Sequence, residues 1–344
     1  MGNLKIQVAL LCLVGAMFLS SCGDSPAPAD KPVAVDSTKP RWIDPQRGKM
    51  YGKVNYVQIP LTAIENHILG PVKSVRYIDY SISEKDGGRV ISDSGYNVYD
   101  KYGHLIDQNE YDKDGKLKWH CVYGYDAQNN ATEWDINVPS AKMLSKVTFR
   151  YDEKGNKIEE NSIDTNKMYS SKVFYKYDDK QNLVEERRQM GAKGKAWVST
   201  FKYDSRGFQT EYVMKDETGK FVSKMTQEYD NDGNKLSGAN YSSDTGIEGR
   251  WKAVLDSKGR TIEMSDYKPD GAVSKLTKYK YDDWDNVTES ITYRPDGSID
   301  TAGFNYYTEF EYDSHGNPTK ETWYKLKDGK KVVTDIAEKK YEYY

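Results

Sequence analysis

One eight-residue motif decides the fold of this chain, and it reads FRYDEKGN at residues 149–156. An aspartate followed three residues later by glycine is typical of a type I turn, because the aspartate caps the turn and glycine accepts the positive φ that closes it. Before the turn, Val147, Phe149 and Tyr151 alternate with polar residues, which is the period of a β-strand with one apolar face. The motif therefore predicts two antiparallel strands joined by a short turn.

The motif recurs at a fixed interval along most of the chain. Tyr-Asp pairs begin at positions 99, 125, 151, 177, 203, 229 and 281, and Leu255 fills the one gap, so successive units are 26 residues long. Two longer intervals of 31 residues lead to Tyr312 and Tyr343. A second glycine-containing turn separates successive motifs, so each unit is one β-hairpin plus the turn to the next hairpin.

These units predict an all-β protein, a repetitive antiparallel hairpin meander that forms one long twisted or coiled sheet. The expected register places Tyr151 opposite Asn156 and Phe149 opposite Ile158, so that one face is aromatic. Leu236 and Ile262 are expected on that same face. A flat layer would leave the aromatic face in water, so we expect the sheet to coil until this face is partly enclosed.

The opposite face of the predicted sheet is charged. Glutamates recur on it at positions 133, 159, 185, 211, 263 and 289. Lysines and arginines on neighbouring strands are their expected cross-strand partners.

The amino-terminal segment has the anatomy of a bacterial secretion signal, with one positive charge at Lys5, an apolar run at residues 8–19 and small residues before Cys22. Residues 19–22, Leu-Ser-Ser-Cys, resemble the lipobox of bacterial lipoproteins. The resemblance implies cleavage before Cys22, which is then diacylated on sulfur and acylated, by a fatty acid such as palmitate, on its new amine. Gly23 stands where an aspartate would be a retention signal for the inner membrane, so the outer membrane is favoured.

The chain then divides into four parts. Prolines from residue 26 to residue 45 prevent regular structure and predict an extended tether. Residues 50–98 depart from the repeat and are expected to cap an open edge, with a short helix near 61–68 and strands near 72–83 and 89–98. The predicted parts are a signal peptide at 1–21, a lipidated cysteine and tether at 22–49, a capping segment at 50–98 and a repeat domain at 99–344.

Composition excludes two classes of function. The chain has 50 basic and 53 acidic residues, a net charge of −3, and therefore no basic field for nucleic acid. A mean hydropathy of −0.86 with 30% charged residues excludes an integral helical membrane protein.

No catalytic or metal-binding pattern emerges from the reactive side chains. The four histidines, at positions 67, 104, 120 and 315, lack metal-ligand spacing. Cys121 follows His120 on a predicted strand, so the two side chains should point to opposite faces. The turns that begin at Asp112 and Asp230 resemble fragments of calcium loops but lack the downstream bidentate glutamate. We therefore expect no enzyme, no metal and no cofactor.

Aromatic side chains are the binding candidates. The rings on the apolar face, towards the hairpin end away from the Tyr-Asp turn, are Trp119, Trp134, Trp197, Trp251 and Tyr212. Flat rings can stack on the apolar faces of sugars, although the same rings could simply pack the enclosed face. Trp284 differs because it sits within a turn, where an exposed indole favours contact with a partner.

The tandem pattern is similar to the YD-repeat, or rearrangement-hot-spot, family over residues 96–344, with its best instances at 201–207 and 310–316. With the lipobox in front, the whole chain resembles YD-repeat lipoproteins of Bacteroidetes-type bacteria. The resemblance implies a repeat sheet at the cell envelope and an association with carbohydrate. The self-cleavage core of the large toxin members is missing near residue 344, so we do not expect a toxin or a cargo shell.

Together these features predict a non-enzymatic, lipid-anchored envelope protein whose repeat sheet binds a glycan or a protein partner. The alternative is a structural scaffold subunit of an envelope complex with no ligand of its own. In either case we expect the outer membrane, on its periplasmic side or at the cell surface, with contact to the membrane through Cys22 and none to nucleic acid.

Overall fold

The computed structural model describes residues 68–83, 85–165, 170–191, 194–243, 246–327 and 329–344. The signal peptide and the tether lie outside these residues, as does the helix expected near 61–68 apart from Ile68. The strands are β1 (Val72–Ile82), β2 (Arg89–Tyr99), β3 (Leu105–Asp112), β4 (Leu117–Tyr125), β5 (Ala131–Val138), β6 (Met143–Tyr151), β7 (Lys157–Asp164), β8 (Ser171–Tyr177), β9 (Leu183–Met190), β10 (Ala196–Tyr203), β11 (Gln209–Asp216), β12 (Phe221–Tyr229), β13 (Lys235–Ser242), β14 (Gly246–Leu255), β15 (Thr261–Tyr267), β16 (Val273–Tyr281), β17 (Val287–Tyr293), β18 (Tyr306–Tyr312), β19 (Pro318–Lys327) and β20 (Lys330–Tyr343).

A 3₁₀ turn at Pro139–Ala141 joins β5 to β6. None of the described residues belongs to a helix long and apolar enough to cross a membrane. The strands expected near 72–83 and 89–98 are confirmed by β1 and β2.

The twenty strands form one closed antiparallel barrel. Each strand pairs with the next along the chain, and β20 also pairs with β1, where Val75 lies opposite Tyr341 and Tyr77 opposite Lys339. The predicted open coiled sheet is therefore wrong, and β1 and β2 are members of the ring rather than a cap on a free edge. Closure removes both edges and so pairs the backbone N–H and C=O groups that an open sheet would leave unpaired.

Alternate residues of each strand point into or out of the barrel. In β6, Met143, Ser145 and Val147 are buried, whereas Leu144 and Lys146 are exposed. Side chains converge on the concave side of a closed sheet and diverge on its convex side, so the buried set faces the lumen and the exposed set forms the outer wall.

Ion pairs across neighbouring strands cover the outer wall. Glu159 pairs with Arg150 and with Lys172, each at 2.8 Å. Glu211 likewise pairs with two lysines, one on each neighbouring strand. These pairs confirm the partners that were expected for the repeated glutamates.

Each Tyr-Asp turn is capped by its own aspartate. Asp152 Oδ1 accepts the backbone N–H groups of Lys154 at 2.9 Å and Asn156 at 2.8 Å, and the Asn156 Nδ2 donates to Asp152 Oδ2 at 3.0 Å. Gly155 supplies the positive φ of 79° that the turn requires. The predicted turn is confirmed.

The register beyond the turn differs from the prediction. A β-bulge follows the turn, so Tyr151 lies opposite Lys157 and Phe149 opposite Glu160. The pairings expected with Asn156 and Ile158 are wrong, because the extra residue shifts the second strand. In the corresponding positions of later units, Leu236 and Ile262 are 36% and 37% exposed, although both were expected on the aromatic face.

A second bond joins successive hairpins. The Tyr151 hydroxyl donates to the Ala131 carbonyl at 2.7 Å, and the Tyr177 hydroxyl donates to the Lys157 carbonyl at 2.7 Å. The same bond to a carbonyl 20 residues earlier occurs at tyrosines 125, 203, 229 and 281. Leu255 occupies the equivalent place in its unit and has no hydroxyl to donate.

Burial of the lumen-facing side chains is uneven around the ring. In β6 and β8, Val147 and Val173 have no exposed surface, and the main apolar cluster extends over β1–β6. In β14 the inward residues, Trp251 among them, are only half-buried. The lumen is therefore crowded along β1–β9 and more accessible along β11–β16.

Candidate functional site: the lumen of the barrel

The predicted aromatic residues on the apolar face do line the lumen. Trp134 on β5 packs edge-on against Tyr123 and Phe149, with ring centroids 5.9 and 4.8 Å away. Its indole Nε1 is buried without a hydrogen-bond partner. Trp251 on β14 lies over Gly238, and a side chain at that glycine would collide with the indole.

These rings do not converge on one place. Trp197 on β10 lies opposite Arg188 and Asp216. Tyr212 on β11 contacts Phe201, with ring centroids 5.5 Å apart. The candidates therefore stand at separate points around the ring, on β5, β10, β11 and β14, and ligand binding by any of them stays a prediction.

A balanced group of charges faces the lumen at β7–β9. Lys157 Nζ contacts Glu160 Oε2 at 3.0 Å, and the Tyr175 hydroxyl donates to the same oxygen at 3.2 Å. Arg188, only 6% exposed, contacts Glu186 at 3.3 Å. Burial acts to raise the pKa of Glu160, but the nearby cations outweigh it and hold that pKa below its usual range. The carboxylate is therefore ionised inside the barrel.

A second, acid-rich group faces the lumen where β1 to β4 meet β19 and β20. Asp79 lies directly opposite Asp93 on β2. Burial raises the pKa of Asp79 to about 6, the Lys339 ammonium lowers it, and Asp93 raises it further. Lys118 bridges Asp93, at 2.7 Å, and Glu110. Part of this group therefore changes charge near neutral pH.

Sequence reasoning missed both charged groups. Glu160 and Arg188 lie in strands that carry many other charges, so nothing in the local pattern separates them from residues of the outer wall. The strand register could have identified them, because residues that lie opposite each other point to the same face. Glu160 lies opposite Val173, and Arg188 lies opposite both Val173 and Trp197, which face the lumen.

Trp284 lies on the rim of the barrel rather than in the lumen. Its indole is 41% exposed, stands 5.6 Å from the Tyr312 ring, and covers Gly316 of the next turn. The His315 ring also packs on an aromatic ring, because it stacks on Tyr343 with the two ring centroids 4.0 Å apart. Trp284 therefore packs on the rim and also exposes part of its ring, and its contact with a partner stays a prediction.

The remaining candidates have ordinary partners. The Asp112 carboxylate accepts N–H groups of its own turn, from Asp114 at 3.0 Å and Lys116 at 2.9 Å. His120 contacts Asp107 on the outer wall at 3.1 Å, whereas Cys121 is buried. Across the described ranges, no group of three or more metal-ligating side chains could hold an ion.

No family model matches the sequence, and no curated protein does. Among solved structures, a porin-like protein from Bacteroides uniformis is 13% identical, with 79% of this chain aligned to 96% of that chain and a TM-score of 0.34. A porin-like protein from Bacteroides vulgatus is also 13% identical, with 79% and 98% aligned and a TM-score of 0.24. The Photorhabdus luminescens Tc holotoxin pore is 12% identical, with 72% of this chain aligned to 15% of that chain and a TM-score of 0.30.

The predicted membership of the YD-repeat lipoproteins is wrong. The resemblance implied an open repeat sheet, whereas the twenty strands close into a ring through the pairing of β1 with β20. The similarity to the porin-like proteins and to the toxin, with TM-scores of 0.34 or less, is too low to assign this chain to either group.

The predicted functions are wrong as well. Both the glycan- or protein-binding repeat sheet and the scaffold subunit assume an open sheet that offers a face to a partner. In the closed ring the aromatic face lines the lumen, and the surface turned outwards is the wall of ion pairs.

Proposed function

We propose that this protein is a hollow, non-enzymatic barrel held beside the bacterial outer membrane, and that it admits small polar solutes into its lumen. The number of strands in the ring is the observation that carries the proposal. Twenty strands about 4.8 Å apart and tilted by about 40° give a perimeter of about 120 Å. Barrels with somewhat fewer strands already enclose an aqueous channel, so one layer of inward side chains would not fill a round section of this perimeter.

The lining of the lumen suits solutes that are polar and also have an apolar face. Ionised groups such as Glu160 and Arg188 offer hydrogen bonds and charge, and Lys157 Nζ lies 4.9 Å from the Phe149 ring centroid. Rings on β11 and β14 supply flat apolar surface where the lumen is more accessible. Such a lining favours weak, reversible contacts with solutes inside the lumen.

The outer wall decides how the barrel meets the membrane. Each lysine or arginine that faced the middle of a bilayer would cost about 2–4 kcal/mol, and ion pairs of this kind recur around the ring. The proposal therefore puts the strands in water beside the outer membrane. Lipidated Cys22 and the tether of residues 22–49 would hold them there.

Cysteine accessibility tests the lumen. On β14, Ala253 is inward and half-buried, and its neighbour Lys252 is outward and exposed, so Ala253→Cys and Lys252→Cys form a matched pair. Both are introduced into a variant whose native cysteines are replaced. We expect a small charged methanethiosulfonate to modify both cysteines, and a maleimide with a long polyethylene glycol chain to modify only the outward one.

Two results would overturn the proposal. If the inward cysteine reacts with neither reagent in the folded protein, the lumen is filled. If it reacts with the large reagent as fast as the outward cysteine, the wall is not closed. Steady ion conductance of the purified protein in a planar bilayer would contradict the part of the proposal that keeps the outer wall in water.

A further inference from the structure

One seam of the barrel is much weaker than the others. β17 and β18 share only two residue pairs, Glu289 with Tyr307 and Ser290 with Tyr306. Every other neighbouring pair of described strands shares at least four. From Thr308 to Tyr312, β18 is paired with β19 but not with β17. Alternate residues of a strand direct their N–H and C=O groups to the same side, so backbone groups of β18 face the gap without a strand partner.

A cavity of about 400 Å³ fills this gap. Its lining residues are Asp282, Thr288, Glu289, Tyr307, Thr308, Glu309, Phe310, Tyr312 and Lys331. Thr308 and Phe310 belong to the inward face of β18, and Tyr307 and Glu309 to its outward face. The cavity is thus a cleft in the wall itself, separate from the lumen positions described above.

The charges of the cleft are mainly negative. It holds three carboxylates, on Asp282, Glu289 and Glu309, and one ammonium, on Lys331. The Glu309 Oε2 accepts a hydrogen bond of 2.6 Å from the Tyr324 hydroxyl, and Glu289 pairs with Lys280 at 3.1 Å. A carboxylate accepts up to about four hydrogen bonds, so both retain capacity for a further donor.

Aromatic surface and an unpartnered hydroxyl complete the cleft. Tyr307, Phe310 and Tyr312 line it, and Lys331 Nζ already lies 4.3 Å from the Tyr307 ring centroid, so at least one ring accepts a cation. Thr308 is only 2% exposed, and its Oγ1 has no hydrogen-bond partner. Buried hydroxyls are normally bonded, so this atom favours a ligand that supplies the missing bond.

We propose that the cleft between β17 and β18 binds a small organic cation, a primary amine attached to an aromatic or apolar body. The ammonium donates to Glu309 and Glu289, where excess negative charge compensates its own. The apolar body packs against Phe310 and Tyr307, and the Thr308 hydroxyl accepts the third N–H of the ammonium. This inference goes beyond the entry of solutes into the lumen and does not depend on it.

Calorimetric titration of the full chain with phenethylamine tests the proposal. The neutral isostere 2-phenylethanol and the anion phenylacetate serve as controls, and we expect only the amine to bind. Glu309→Gln keeps the shape and removes the charge, so it should weaken binding by about tenfold or more. Glu311→Gln is the matched control, because Glu311 is the next outward residue of β18, pairs with Lys320 and does not line the cleft.

Thr308→Val separates a ligand contact from a structural role. The change removes a buried hydroxyl that has no partner, so the folded protein should melt no earlier, while its affinity for the amine falls. If Glu309→Gln alters the circular dichroism spectrum, Glu289→Gln replaces it as the test.

The proposal fails if phenethylamine does not bind. It also fails if the amine and the alcohol bind equally, or if Glu309→Gln and Glu311→Gln bind alike. A filled lumen would overturn the proposed function and leave this titration unaffected.

Discussion

The side chain of Asn317 brackets the backbone of Leu69. Its Oδ1 accepts the Leu69 N–H at 2.6 Å, and its Nδ2 donates to the Leu69 carbonyl at 2.7 Å and to the Tyr343 hydroxyl at 2.8 Å. In earlier units the equivalent asparagine, such as Asn156, donates to the aspartate of its own turn instead. At the closure the same motif residue therefore joins the entry of β1, the turn after β18 and the end of β20.

Loss of this bracket should cost more than loss of an ordinary turn bond. Asn317→Ala leaves a buried N–H and a buried C=O of Leu69 unpaired, so we expect a loss of about 3 kcal/mol in the free energy of unfolding. Asn156→Ala, the matched control, removes one side-chain bond within a turn and should cost about 1 kcal/mol. Urea unfolding of both variants measures the difference, and equal losses would show that the closure does not depend on Asn317.

The tyrosine hydroxyl that joins successive hairpins should contribute measurably to stability. Tyr151→Phe removes the bond to the Ala131 carbonyl and should lower the free energy of unfolding by about 1 kcal/mol. Leu255→Tyr restores the missing hydroxyl in its own unit and should raise it by up to a similar amount. Urea midpoints report both changes, and a destabilised Leu255→Tyr would mean that this unit cannot accommodate the ring.

Stability should depend on pH through Asp79. Burial raises its pKa from 3.8 to about 6 in the folded protein, so folding favours the neutral acid. The contribution of neutral Asp79 to the free energy of unfolding is fully present below pH 4. It is lost as the pH rises towards 6 and stays absent above that pH. Asp79→Asn should therefore stabilise the protein at pH 7, by about 1–2 kcal/mol after allowance for solvent screening, with little effect at pH 4.

Thermal melts of the Asp79→Asn variant across this pH range measure the effect. Asp114→Asn is the control, because the Asp114 side chain is 69% exposed and should leave the profile unchanged. An Asp79→Asn profile parallel to that of the unmodified protein would rule out the assigned role.

The two classes of tryptophan should differ in their effect on stability. Trp134 packs between Tyr123 and Phe149, so Trp134→Ala should cost about 3–5 kcal/mol. Trp284 covers Gly316 but is 41% exposed, so Trp284→Ala should cost about 1 kcal/mol. Denaturation curves of both variants measure the two losses in the free energy of unfolding. A larger loss for Trp284→Ala would show that the contacts on the rim stabilise the barrel more than those of Trp134 in the lumen.

Local structure could be predicted from the sequence because it depends on neighbouring residues. Asp152 and Gly155 are sufficient to predict the turn. The alternation of apolar and polar residues around Val147 is sufficient to predict the strand. The bulge that places Tyr151 opposite Lys157 depends on backbone geometry after the turn, which residue types alone do not give.

Closure and the lumen could not be predicted because they depend on distant partners. Val75 and Tyr341 meet only because the accumulated twist and coiling of twenty strands bring the last strand to the first. Glu160 and Arg188 have the composition of surface residues, and only the finished register turns them inwards. The cleft beside Thr308 arises where the regular spacing fails, between β17 and β18, and no local motif marks it.

The pairing of β1 with β20 also imposes an order on folding. Most neighbouring strands meet across a short loop, so hairpins can form early and at little entropic cost. β1 finds its second partner more than two hundred residues later, as in the pairing of Val75 with Tyr341. Until β1 pairs with β20, the first and last strands of the meander have unpaired backbone groups. Strands of other chains can pair with such edges. We therefore expect closure to be the slow step of folding, and its completion to end the exposure of unpaired strand edges to other chains.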